Sequence, residues 1–90
     1  MLSSRRTNSQ IFTEILKICV NGARKTRIVY QANINSRMAK LYLDDLMKNG
    51  FIEAKRDGSR TMYRTTSKGL ELKGRFELIC GELDEINAWA

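Results

Sequence analysis

Arg24-Lys25-Thr26-Arg27-Ile28-Val29-Tyr30-Gln31-Ala32-Asn33-Ile34-Asn35-Ser36-Arg37-Met38-Ala39-Lys40-Leu41-Tyr42-Leu43-Asp44-Asp45-Leu46-Met47-Lys48-Asn49-Gly50 decides the fold. Thr26 can cap a short helix running through Ala32, which buries Ile28 or Val29 together with Tyr30 before the Asn33-Ile34-Asn35 turn. Asn35 or Ser36 can cap a second helix. There Ala39, Tyr42, Leu43 and Leu46 recur as one stripe, and Asn49-Gly50 closes it with the left-handed residue that a helix end favours. Two short helices flanking a tight turn are a helix-turn-helix arrangement.

Upstream, Thr7-Asn8-Ser9-Gln10 has the form of a capping box. Ile11, Phe12, Ile15, Leu16 and Cys19 then share one helical face, and Asn21-Gly22 ends a helix expected over about residues 8 to 21. Downstream the period switches from helical to alternating. Phe51 to Arg56 and Thr61 to Thr65 read as strands, with Asp57-Gly58-Ser59-Arg60 as the hairpin turn. An isolated hairpin is marginal in water, so it must pack on the helices. Thr66 can cap a last helix running nearly to Ala90, and the chain has no Pro to interrupt it. Three helices, a hairpin and a helix give a mainly α fold with a β-hairpin wing, the layout of a winged helix, although other small α+β domains share so coarse an order.

Particular residues narrow it. Lys25 to Ile34, Tyr42 to Ile52 and Tyr63-Arg64-Thr65-Thr66-Ser67-Lys68-Gly69 resemble blocks of archaeal winged helix-turn-helix proteins. The likeness is above all to the small Sulfolobus chromatin-associated DNA-binding proteins of about ten kilodaltons, and to related archaeal transcription regulators. It spans about residues 8 to 88, and Lys-Thr-Arg-Ile…Tyr…Ala-Asn is its distinctive part. The resemblance implies DNA binding and an antiparallel coiled-coil dimer, in either a regulatory or an architectural role. One departure is Thr65, where such blocks usually carry Leu, and looser packing is expected there.

Composition bounds the rest. Ninety residues fit one domain, read here as a winged helix over 1–68 and a C-terminal dimerisation helix over 69–90. Residues 1–68 hold fourteen basic and five acidic side chains, whereas 69–90 hold two and five. The first part suits a polyanion and the second does not, although Lys and Arg also serve simply to solubilise. No apolar run is long enough for a membrane span, and the first ten residues do not form a signal peptide, so the expected setting is cytoplasmic, and the resemblance implies nucleoid association. Cys19 and Cys80 lie far apart within helical apolar patterns and read as buried thiols, not a disulfide or metal site. The chain has no His. The commonest general base and metal ligand are therefore missing, and neither catalysis, a cofactor nor a metal is expected.

For DNA, the stripe of the second helix of the motif turns Ser36, Arg37, Lys40, Leu41, Asp44 and Lys48 outward. In a major groove, Arg37 is the first candidate to read a base, with Ser36 beside it. Lys40 suits a base or a phosphate. Leu41 either meets a thymine methyl or tucks against the core edge. Asp44 and Asp45 keep the contact in the first two turns. Arg24, Lys25, Thr26 and Arg27 form a phosphate-positioning site at a helix start. Lys55, Arg56, Ser59, Arg60 and Arg64 line the hairpin, with Arg60 foremost for the minor groove; any one of these cations can equally be a solvated side chain.

The last helix carries Leu72, Phe76, Ile79, Leu83, Ile86 and Ala90 at spacings of 4, 3, 4, 3 and 4, a heptad seam. Leu70 is expected on the helix's own domain, as the start of such a stripe often is. The rest extends about 27 Å at 1.5 Å per residue, too far for a body this small, so a homodimer is implied, with Trp89 off the seam and able to clasp an end. Two rival functions remain: a protein-interaction module without DNA binding, and RNA binding, for which the few aromatics offer no stacking platform.

Overall fold

The structure, a computed structural model, describes residues 7–87, with side chains as far as residue 79. The thiol of Cys80, the seam side chains of Leu83, Ile86 and Ala90, and Trp89 therefore lie outside the described residues. Six elements follow in the expected order: α1 (Asn8–Ile18), α2 (Lys25–Ala32), α3 (Ser36–Lys48), β1 (Ile52–Asp57), β2 (Arg60–Thr65) and α4 (Ser67–Asn87). No helix among the described residues is long and apolar enough to cross a membrane.

α1 opens with the capping box: Gln10 N–H donates to Thr7 Oγ1 at 3.1 Å and Thr7 N–H to Gln10 Oε1 at 2.8 Å. It ends at Ile18, short of the expected residue 21. The exit tightens into i to i+3 bonds, Val20 N–H to Lys17 O and Gly22 N–H to Cys19 O, with Gly22 at φ +90. Thr65 completes this end. Its N–H donates to Cys19 O at 3.1 Å and its buried hydroxyl donates to Leu16 O at 2.7 Å. The expected looseness at Thr65 is thus corrected, because a Leu there would leave the Leu16 carbonyl without this donor. Thr65→Val, which keeps the shape and deletes the hydroxyl, should cost about 1 to 2 kcal/mol in urea unfolding; an unchanged midpoint would show that the bond contributes nothing.

The core gathers Ile11, Ile15, Leu16 and Cys19 from α1, Ile28 and Ala32 from α2, Leu43 and Leu46 from α3, and Ile52 from β1. Burial pushes the Cys19 thiol up to about 12, with Arg27 opposing in part. It is therefore a neutral core side chain at physiological pH. Between 9.0 and about 12 the native state keeps a proton that the unfolded chain releases, so this group subtracts stability as pH rises through that window.

α2 starts at Lys25 with Arg24 in the cap position and no side-chain cap, so Thr26 is inside the first turn and is not the cap. Ala23, immediately before it, exchanges two backbone bonds with Tyr63, at 2.9 and 2.8 Å, and this pairing fixes where the helix begins. Ile28 is buried as expected, but Tyr30 is 85% exposed, a correction to its placement in the core. An eight-residue helix touching its domain along Ile28 and Ala32 has a stripe too narrow to include it. Asn33 at φ 55 ends α2, and Asn35, not Ser36, caps α3 by accepting from Met38 N–H at 2.8 Å.

The strands pair antiparallel from Ile52↔Thr65 to Asp57↔Arg60, which shifts the first by a residue, lengthens the second by one at its start and leaves only Gly58-Ser59 as the turn. Gly58 has φ +66 and Ser59 does not share the sign, the pattern of a type II′ turn. Thr66 then caps α4, accepting from Gly69 N–H at 3.1 Å while donating to Gly50 O at 2.6 Å. Lys68 ties the same junction, donating to Asn49 O at 2.8 Å with its ammonium 4.9 Å from the centre of the Phe51 ring. Gly69 lies directly against Phe51 and Thr65. That contact sets the phase of α4: Leu72 packs against the core, whereas Leu70, expected there, is 45% exposed.

Candidate nucleic-acid interface

The outward face of α3 forms as its period requires. Asn35 fixes the start, Ala39, Leu43 and Leu46 anchor the inner side, and Ser36, Arg37, Lys40, Asp44 and Lys48 are exposed. Leu41 is 59% exposed, so it does not tuck against the core edge. Lys40 donates to Asp44 one turn on, at 3.0 Å. Both side chains are solvated, and such a pair is worth at most about 1 kcal/mol, so Lys40 is easily released to another anion. The i, i+4 spacing of Lys40 and Asp44 is the sequence signal for this pair.

Arg24, Thr26 and Arg27 are exposed and Lys25 is half-buried at the start of α2. The Ala23↔Tyr63 bridge draws this segment against the wing. Consequently Arg24, Lys25 and Thr26 line one surface depression with Arg60, Thr61 and Tyr63. Three cations from two segments 35 residues or more apart in sequence thus share one concavity, whereas the sequence assigned Arg60 to the hairpin tip alone. A single-residue bridge leaves no periodic trace, so nothing in the sequence marked this convergence.

The other wing cations lie apart from this depression. Strand alternation puts Glu53, Lys55, Asp57, Arg60, Met62 and Arg64 on one face, and Ala54, Arg56, Thr61 and Tyr63 on the face that leads down to Ile52 and Thr65. Lys55, Arg56 and Arg64 nevertheless line one depression together with two carboxylates, Glu53 and Asp57. Ser59 sits in the turn beside Gly58. Among the described residues no group of three His, Cys, Asp or Glu is placed to hold a metal ion.

On the opposite side, Phe12, Leu46, Phe51, Leu72 and Phe76 line a largely apolar cleft between α1, α3 and α4, with Ser9, Thr13, Asp45 and Asn49 at its margins. Of the seam residues, Leu72 and Phe76 are half-buried by their own domain and Ile79 is 52% exposed.

Similarity to known proteins follows this layout. The chain is 39% identical over 54 residues to an uncharacterised protein of Methanocaldococcus jannaschii, a match that takes in 59% of this chain and spans only 56% of that relative. It resembles the crystal structure of Sso10a-2, a DNA-binding protein from Sulfolobus solfataricus, with TM-score 0.86 and 31% identity over 92% of this chain and 87% of the other. A homodimeric winged helix-turn-helix DNA-binding domain from Mycobacterium bovis aligns with TM-score 0.63 and 25% identity, covering 83% of this chain and 68% of that one. The sequence pattern of one family, described as winged helix-turn-helix, matches residues 5–82. With α3 as the second helix of its motif and β1-β2 as its wing, the chain belongs to the winged helix-turn-helix family.

Proposed function

We propose that this chain is a non-enzymatic binder of double-stranded DNA, acting as a homodimeric transcription regulator or chromatin-associated protein in the cytoplasm. The observation that carries the reading is the joint placement of cations: an exposed Arg37 and Lys40 on α3, and Arg24, Lys25 and Arg60 around one depression between α2 and the wing. DNA binding by Sso10a-2 supports it, as does the homodimeric DNA-binding domain from Mycobacterium bovis. In this arrangement α3 enters the major groove with Ser36, Arg37, Lys40 and Leu41 at base edges. Arg24, Lys25, Thr26 and Arg27 hold the backbone, and the wing, with Lys55, Arg56, Ser59, Arg60 and Arg64, follows the adjoining groove.

Phosphate neutralisation releases counterions, so affinity should fall steeply with salt. Arg37→Ala should cost about 1 to 3 kcal/mol on a preferred duplex and relax discrimination, whereas Lys25→Ala should weaken all duplexes alike and lower the salt slope by about 1. Arg60→Ala should weaken binding with no change in thermal midpoint, since its side chain is exposed. Fluorescence titration over a salt series measures all three. Equal losses for Arg37→Ala on preferred and random duplexes would remove it as a base reader. Affinity no better for duplex DNA than for an unrelated polyanion would instead favour the protein-interaction module. Selection from a random duplex pool separates the two roles, because a regulator enriches one motif and an architectural binder does not.

A further inference from the structure

Two of the three tyrosines have evident structural roles. Tyr42 donates its hydroxyl to Asn8 Oδ1 at 2.8 Å and meets Phe12 edge-on, with ring centroids 4.8 Å apart. Tyr63 packs against the core. Tyr30 does neither: its ring stands in solvent and its hydroxyl has no partner among the described residues.

The period of α2 says where that ring stands. With Ile28 and Ala32 turned inward, about 100° per residue sets Tyr30 roughly 40° round from Thr26 and roughly 60° from Arg27, one turn further along the axis. Thr26 lines the depression shared with Arg24, Lys25 and Arg60. Tyr30 is therefore the next step across the surface from that basic concavity.

A single exposed aromatic would need no explanation. Its surroundings are what matter. Among the described residues the exposed large apolar side chains form two sets: Leu70, Leu78 and Ile79 on α4, and Tyr30, Met38 and Leu41 on the helix-turn-helix unit. The second set is interspersed with the exposed cations Arg24, Arg27, Arg37 and Lys40. An apolar protein surface docking there would strip water from three arginines and from the solvated Lys40–Asp44 pair, which is costly. A phosphodiester backbone pairs those charges and also accepts hydrogen bonds from neutral hydroxyls, Tyr among them.

The geometry points to Tyr30 as a DNA-backbone contact, its hydroxyl donating to a phosphate oxygen neighbouring the phosphate held at the Arg24, Lys25 and Arg60 depression, with its ring against the sugar. This contact rests on the DNA-binding function proposed above. It has a signature that no cation on the surface shares. A neutral donor displaces no counterion, so its removal lowers affinity without changing the dependence on salt.

The test compares the wild-type chain with Tyr30→Phe, Tyr30→Ala and Lys25→Ala on a preferred and a random duplex at several salt concentrations. Tyr30→Phe should bind about fivefold more weakly, the loss of one neutral hydrogen bond. Tyr30→Ala should lose more, because the ring goes too. Both losses should be equal on the two duplexes, with the wild-type salt slope and an unaltered thermal midpoint. Wild-type affinity in Tyr30→Ala overturns the assignment. So does a loss confined to the preferred duplex, which would make Tyr30 a base reader, and so does a change in sedimentation in place of affinity, which would make it a protein contact. Failure of the wild type itself to bind duplex DNA, even at low salt, would remove the parent function, a result distinct from failure of Tyr30 alone.

Discussion

Gly69→Ala is expected to destabilise the fold by about 2 to 3 kcal/mol, although alanine is the better helix former by about 1 kcal/mol. A Cβ there would overlap the Phe51 carbonyl oxygen and lie 2.6 Å from Thr65 Cγ2. Neither neighbour can move aside cheaply. Phe51 N–H donates to Leu46 O at 2.8 Å and its carbonyl accepts from Thr66 N–H at 3.0 Å. Thr65 is pinned by its two bonds to the end of α1. Relief would require α4 to lift, and with it Leu72 from the core. Gly74, five residues along the same helix, has no heavy atom within 4 Å of an added Cβ. Gly74→Ala should therefore stabilise by about 0.5 to 1 kcal/mol. Urea unfolding of the two variants at one protein concentration gives the comparison. Equal stability of Gly69→Ala and Gly74→Ala would mean that the junction is softer than this packing implies.

The same glycine shows what the sequence conveys and what it withholds. Features whose causes lie within one turn were legible: the Thr7 and Gln10 capping box, a cap at Asn35 or Ser36, the α1 and α3 stripes, and Gly50 and Gly58 at positive φ. Features set by contacts between distant segments were not. Leu70 and Leu72 both belong to plausible stripes, and only the approach of Gly69 to Phe51 decides that Leu72 faces the body. The cap of α2 lies two residues before the one that the sequence suggests, because the bridge from Ala23 to Tyr63 spans 40 residues and involves no side chain. The pattern around Tyr30 reads as core because eight residues hold barely two turns, too few for a period to separate an inward from an outward aromatic. For the site, individual cations were legible from charge and spacing. Their grouping was not: Arg60 lines the same depression as Arg24, whereas Lys55, Arg56 and Arg64 line another with Glu53 and Asp57.

Replacing Ile79 and Leu83 together by Asp should convert the proposed homodimer into a monomer while leaving the winged helix folded. The packing of α4 makes this pair the apt choice. Its first turns are committed to the body, with Leu72 against the core and Phe76 at the edge of the apolar cleft, so changes there would damage the fold itself. Ile79 is 52% exposed and its neighbour Leu78 is 66% exposed, so neither is needed by the domain it belongs to. Leu83 and Ile86 continue the heptad spacing beyond the described side chains. In the proposed two-fold pairing, each stripe is buried against its reversed copy, and an unpaired carboxylate placed there costs far more than one on the surface. The double variant should sediment as a monomer and keep the circular dichroism of α1 to α3, with some loss of helix signal from α4. It should also bind DNA about a hundredfold more weakly, because two linked sites become one. Leu72→Asp supplies the contrast: it should lower the thermal midpoint of the domain, whereas Ile79→Asp alone should lower only the tendency to associate. If the wild type is already monomeric at tens of micromolar, the dimer is refuted, and the exposed apolar residues of α4 then have to be covered by some other partner.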